Sequence, residues 1–161
     1  MLEKTVGEKL IKTGLKLASA ESCTGGLVGH RLTNIAGSSV YYLGGVISYD
    51  NSVKQNVLQV PAEILNTVGA VSEQCALAMA HGVRKLLGAD LAISTTGIAG
   101  PGGATPDKPV GLVFIGLVDG LGYEKCECFI WSGDRETNKA LSAEAALKMV
   151  EDYLALKLVA D

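Results

Sequence analysis

Aromatic residues make up only 5% of the 161-residue chain, histidines number two, and no two cysteines show C-x-x-C spacing. Each scarcity removes a class of function. Cys23, Cys75, Cys126 and Cys128 read as reduced core or strand residues rather than as a disulfide framework or a structural zinc site, so no metal and no cofactor are expected. The few aromatics give no obvious hot-spot surface for a structural assembly subunit. Arg84 and Lys85 form the only adjacent basic pair, and 14 Lys and Arg face 17 Asp and Glu, a net charge of −3 that disfavours nucleic-acid binding. The start M-L-E-K-T-V-G-E-K lacks the basic-then-apolar order of a signal peptide, and polar residues interrupt every long apolar run. A cytoplasmic protein with no membrane partner is the expectation. G-x-S-x-G, Walker A and G-x-G-x-x-G are all missing, and His30 and His81 fall within predicted helices, which leaves a serine-histidine-acid triad little support.

What is present is apolar bulk and glycine. Hydrophobic residues reach 48%, enough to bury a sizeable core in one domain over 1–161. Glycine contributes 20 residues, about one in eight against a usual share of roughly 7%, clustered at Gly25-Gly26, Gly44-Gly45 and Gly97 to Gly103. Helical spacing predicts helices over Leu2–Leu15, Thr24–Ile35, Ser52–Leu58, a long one after a Ser72 N-cap, and a last one capped by Asp134. Strands are predicted over Leu17–Ala20, Val40–Tyr49 with a bulge at Gly44-Gly45, Leu91–Thr96, Val110–Val118 and Tyr123–Trp131, the last two as a hairpin. Helices flanking strands throughout predict a three-layer α/β/α sandwich with a mixed, mostly parallel sheet and an antiparallel hairpin.

Three segments follow predicted strands, and ligands of such sheets gather beyond strand ends. Ala20-Glu21-Ser22-Cys23-Thr24-Gly25-Gly26 brings hydroxyls to a helix start, which suits an anion or an ordinary cap. Cys23 reads better as a buried thiol than as a nucleophile. Gly37-Ser38-Ser39 and Tyr49-Asp50-Asn51-Ser52-Val53-Lys54 form the second segment, where Arg31 and Lys54 are the only Lys or Arg between Lys16 and Arg84. A lysine titrates near about 10.4 in water, and burial in charge-poor surroundings lowers that enough for it to take a proton from a serine. A solvated lysine on a short helix is the plainer alternative. Thr96-Gly97-Ile98-Ala99-Gly100-Pro101-Gly102-Gly103, followed by Lys108-Pro109-Val110-Gly111, offers backbone N–H groups to a phosphate or oxyanion. Arg135 opens the last helix, facing either a ligand or its acidic neighbours Asp134 and Glu136.

Together, A-E-S-C-T-G-G, A-G-S-S, Y-D-N-S-V-K, G-A-V-S-E, T-G-I-A-G-P-G-G and K-P-V-G closely resemble the C-terminal domain family of CinA, the competence- and damage-inducible proteins, in order from about Leu17 to Arg135. Standalone members of that family are nicotinamide mononucleotide deamidases. The resemblance implies a metal-free serine/lysine amidohydrolase whose partner is a small pyridine nucleotide, converted to nicotinic acid mononucleotide and ammonia in pyridine nucleotide salvage. It implies a site with Ser39 as nucleophile and Lys54 as its base, Tyr49 and Ser22 as hydrogen-bonding or relay groups, and Ser22 as the competing nucleophile. Thr24, Gly25, Gly26, Gly97, Gly100, Gly102, Gly103 and Arg135 are then the candidates for holding ribose and phosphate. A non-catalytic nucleotide-binding or regulatory module is the alternative, and the oligomeric state, homo-oligomer included, stays open.

Overall fold

A computed structural model describes residues 1–160. Chain order gives α1 (Leu2–Thr13), β1 (Leu17–Glu21), α2 (Leu27–Thr33), a 3₁₀ turn at Ser38–Val40, β2 (Tyr42–Ile47), α3 (Asn51–Asn56), α4 (Ala62–Asn66), α5 (Glu73–Leu87), β3 (Leu91–Gly97), β4 (Leu112–Asp119), β5 (Glu124–Ile130) and α6 (Arg135–Ala160). The strands form one five-stranded sheet in the order β2-β1-β3-β4-β5. β1 runs parallel to both β2 and β3, whereas β4 is antiparallel to β3 and β5. The expected α/β/α layering and hairpin are present, and the four strand pairings divide evenly between parallel and antiparallel. Residues 98–111 return the chain as a loop with no crossover helix, so β4 runs back along β3.

Each sheet face has its own apolar cluster. Val6 and Leu10 of α1, Leu32 of α2 and Leu147, Val150 and Leu154 of α6 pack over Leu17, Ile93 and Ile115. On the other face Met79 and Val83 of α5 meet Ala18, Ala20, Ala92, Val118 and, from the segment after α3, Leu58 and Val60. Alternating side chains along β1 therefore serve both layers, as a central strand must. No helix among the described residues is long and apolar enough to cross a membrane.

Several element ends differ from the sequence expectation for local reasons. The second helix begins at Leu27 rather than Thr24 because Gly25 and Gly26 hold φ of 60° and 104°, a left-handed turn that no helix continues through. Val40 belongs to the 3₁₀ turn, and the pairing of β1 with β2 steps from Tyr42 to Gly44, which places the anticipated bulge at Leu43. The fourth strand starts at Leu112, two residues later than expected.

One contact seats the segment after α3 against the long helix α5. A Cβ on Gly82 would lie 2.0 Å from the carbonyl oxygen of Leu58, so the segment that follows α3 rests directly on α5 backbone. Gly82→Ala gains up to about 1 kcal/mol of helix propensity. It must also push a backbone carbonyl away, and overpacking of this kind costs about 1–3 kcal/mol or more. The clash is with backbone rather than a flexible side chain, so a lower urea midpoint with an unchanged slope is the expected result for Gly82→Ala.

Candidate active site

Chain direction decides where the chemistry gathers. From the carboxyl end of β1 the chain crosses to β2 on one side through α2, and β3 lies on the other side, reached from β2 through α3, α4 and α5. Strand order thus reverses around β1, and the space beyond its carboxyl end is the customary ligand position in such sheets. Ser22 is the first residue past that end. A cleft of about 200 Å³ opens there, lined by Ser22, Tyr49, Asn51, Lys54, Thr96 and Arg135 among others. A larger groove of about 410 Å³ lies between α5 and residues 57–61, beside Val57, Pro61, His81 and Leu86, and holds no buried nucleophile.

Lys54 is 1% exposed. Asp50 caps α3 by accepting from the Ser52 N–H at 2.8 Å, and the first turn of this helix lays the Lys54 side chain back along the segment that left β2. Its Nζ donates to the carbonyl of Ser48 at 2.6 Å, to that of Tyr49 at 3.2 Å, and to Ser22 Oγ at 3.0 Å. No carboxylate forms an ion pair with it among the described residues. Burial without a counter-ion disfavours the ammonium, and desolvation holds the Lys54 pKa below the usual lysine range. The geometry has a directional consequence. A neutral amine keeps two N–H bonds and one lone pair; two carbonyls occupy the N–H bonds, and the lone pair is left facing the Ser22 hydroxyl.

Ser22 is itself buried and held by its backbone, whose N–H donates to Thr95 at 2.9 Å and whose carbonyl accepts from Gly25 N–H at 3.1 Å. The second bond closes a tight turn over residues 22–25. The N–H groups of Cys23 and Thr24 have no acceptor among the described residues. Cys23 is no rival nucleophile: burial, with the Glu21 carboxylate adding to it, pushes its thiol up to about 12.

Glu21 had no assigned role in the sequence and turns out to organise the turn. Its buried carboxylate accepts from Thr24 Oγ1 at 2.6 Å, Val28 N–H at 2.8 Å and Gly29 N–H at 3.0 Å. Thr24 Oγ1 also shares a 2.7 Å hydrogen bond with Thr95 Oγ1. The Val28 and Gly29 N–H groups at the start of α2 and the Thr24 hydroxyl are therefore committed to Glu21, while the Thr24 N–H has no acceptor among the described residues. One signal for this was legible: Glu21 is the only acidic residue between Glu8 and Asp50.

The remaining sequence candidates divide by position. Ser39 is exposed in the 3₁₀ turn that precedes β2, at the opposite end of that strand from Ser48, and so is not brought to Lys54; Ser22 is. Tyr49 reaches the cleft rim, where its hydroxyl accepts from Arg135 Nη2 at 2.9 Å, while Arg135 Nη1 donates to the Gly100 carbonyl at 2.8 Å. Gly97 lines the cleft, and Gly102 and Gly103 stand exposed farther along their loop. Two tethers hold the loops in place: Thr96 Oγ1 donates to the Ala70 carbonyl at 2.8 Å, and Asn138 Nδ2 to the Ala99 carbonyl at 3.0 Å.

Fold and cleft together define an α/β protein that keeps a lysine amine and a serine hydroxyl in contact, out of bulk water, at a strand-order switch. The chain belongs to the CinA C-terminal domain family, whose model matches residues 1–154. It is 51% identical over 148 residues to a CinA-like protein of Salinibacter ruber, covering 91% of this chain and 35% of that protein. A CinA-like protein of Syntrophotalea carbinolica is 49% identical over 153 residues, with 95% and 37% covered. The chain thus spans little more than a third of the length of these relatives. Among solved structures, a competence/damage-inducible protein of Agrobacterium tumefaciens superposes with a TM-score of 0.92 at 39% identity, over 96% of this chain and 93% of that one. The competence damage-inducible protein A of Klebsiella pneumoniae gives 0.92 at 38%, over 96% and 95%.

Thiol reactivity checks the electrostatics of the site. Cys128 is exposed, whereas Cys23 and Cys75 are buried with thiols pushed up to about 12 and about 11. Alkylation of the folded protein near pH 8, mapped by peptide mass, should label Cys128 and spare Cys23 and Cys75 until denaturant is added.

Proposed function

We propose that this chain is a serine amidohydrolase that converts nicotinamide mononucleotide and water to nicotinic acid mononucleotide and ammonia, with Ser22 as nucleophile and Lys54 as its base. The substrate comes from the resemblance to the deamidase members of the family. The single observation that carries the chemistry is the contact between buried Lys54 Nζ and Ser22 Oγ at 3.0 Å. Ser39, the nucleophile expected from the sequence, gives way to Ser22 because the buried Lys54 amine contacts Ser22 and not Ser39.

In this mechanism the neutral Lys54 amine takes the Ser22 proton as Oγ bonds to the carboxamide carbon. The carbonyl π pair moves onto oxygen, and the donor we assign to the resulting oxyanion is the N–H of Cys23, a residue that lines the cleft and whose N–H has no acceptor among the described residues. Lys54 then gives the proton to the amide nitrogen as the oxyanion re-forms the carbonyl and the C–N bond breaks, so ammonia leaves and an ester remains on Ser22. Water, deprotonated by the same amine, attacks that ester; the C–O bond to Ser22 breaks, and the proton goes back to Oγ. The backbone carbonyls of Ser48 and Tyr49 hold the amine in place through both halves.

Ammonia release by folded variants tests this reading. Ser22→Ala and Lys54→Arg should each lose at least about 1,000-fold in kcat, since guanidinium never deprotonates in the working range. Ser39→Ala should stay within about twofold of the parent protein. Because the active amine is the deprotonated form, kcat/KM should rise with pH through a lowered Lys54 pKa and level off below the ordinary lysine value of about 10.4. Activity retained in Ser22→Ala and lost in Ser39→Ala would overturn the assignment. Nucleotide binding with no ammonia from the parent protein would favour a non-catalytic module.

A further inference from the structure

We propose that Lys139 on α6 is the phosphate-recognition residue of this cleft, an inference that rests on the substrate proposed above being a phosphate monoester. The case begins with the donors that are already spent. An anionic ligand would ordinarily seek the start of α2, yet the Val28 and Gly29 N–H groups and the Thr24 hydroxyl all serve the buried Glu21 carboxylate. Arg135 is the obvious cation at the rim, but its two terminal nitrogens are directed at the Gly100 carbonyl and the Tyr49 hydroxyl. It acts as a strut between the loop after β3 and the segment after β2.

Lys139 lies one helical turn beyond Arg135, on the same side of α6. Its Nζ stands 3.7 Å from the point that a Cβ on Gly25 would occupy. Gly25 closes the turn whose first residue is Ser22, so the ammonium stands beyond the far end of the turn that carries the nucleophile. The Lys139 ammonium makes no hydrogen bond or ion pair among the described residues, unlike Lys9, Lys16, Lys108 and Lys148. A glycine at position 25 leaves the space between ammonium and turn free of side chain. The cleft itself is lined by the Ser22 hydroxyl and the Arg135 guanidinium, and one uncommitted cation stands outside that lining, beside Gly25. That spacing suits a ligand with a reacting carboxamide at one end and a phosphate dianion at the other.

The test compares parent protein, Lys139→Gln and Lys139→Arg with nicotinamide mononucleotide, with the phosphate-free nicotinamide riboside, and with inorganic phosphate as competitor, reading both ammonia release and calorimetric binding. Lys139→Gln should raise KM for the mononucleotide roughly 10- to 100-fold, the range of a charge-assisted hydrogen bond, and keep kcat within about threefold. Riboside turnover should be unchanged, Lys139→Arg should restore most of the affinity, and inorganic phosphate should compete less well in Lys139→Gln. Equal losses with mononucleotide and riboside would mark Lys139 as structural and overturn the inference, as would no change with either. Loss of inorganic phosphate binding with an unchanged mononucleotide KM would make it a free-phosphate site and overturn the substrate assignment. If the parent protein releases no ammonia, the proposed reaction fails, and calorimetry decides Lys139 separately: a preference for mononucleotide over riboside that Lys139→Gln removes upholds it, and equal binding of the two overturns it.

Discussion

A lysine amine kept from water without a counter-ion is the constraint on which the site depends. Exposure of Lys54 would restore its ordinary pKa and leave an ammonium beside Ser22, where it would donate a proton and accept none. Burial alone would be unstable, because an amine with unmet N–H groups costs free energy in a closed environment. The Ser48 and Tyr49 carbonyls meet both N–H groups, and they are free to do so because β2 has ended and α3 has not begun. A strand end, a cap at Asp50 and a segment after α3 that rests on Gly82 through Leu58 are therefore parts of one device.

Glu21 plays the matching part on the other side of Ser22. It draws the start of α2 and the Thr24 hydroxyl toward the sheet, so that the turn carrying Ser22 is braced from beneath while its upper surface faces the cleft. Its carboxylate oxygens are spent on fixed donors, and burial pushes the adjacent Cys23 thiol up to about 12. The two ionisable side chains flanking Ser22 differ in environment: Lys54 is stripped of solvent, whereas the Glu21 carboxylate is saturated with hydrogen bonds. The long helix α6 completes the enclosure, with Asn138 and Arg135 holding the loop after β3 at its first turn.

Much of this was legible in the chain, for physical reasons. Period-3.6 and period-2 patterns located the long helices and all the strands, because each element buries one face or stripe and the pattern records which. Lys54 could be singled out because a lone cation in charge-poor sequence has little reason to be there except burial or chemistry. The same test applied to acids would have found Glu21. The partner of Lys54 was harder to read. Ser39 and Ser22 both sit in loops beside strands, and only knowledge that β1 and β2 are parallel shows that the loop before β2 and the loop after β1 lie at opposite ends of the sheet. Pairing direction is a non-local property, invisible to any window along the sequence. The antiparallel return of β4 escaped for the same reason.

The central proposal, that buried Lys54 with its lowered pKa serves Ser22 as a neutral amine, can be measured without turnover. Selective ¹³C labelling of the lysine side chains, with an NMR titration of the folded protein and Lys54→Met to assign the resonance, reads each ammonium separately. The account predicts that the Lys54 signal titrates below the other lysines, and that removing the Ser22 hydroxyl alters its shift while leaving theirs unchanged. A Lys54 signal that titrates with the exposed lysines near about 10.4, indifferent to Ser22→Ala, would contradict it.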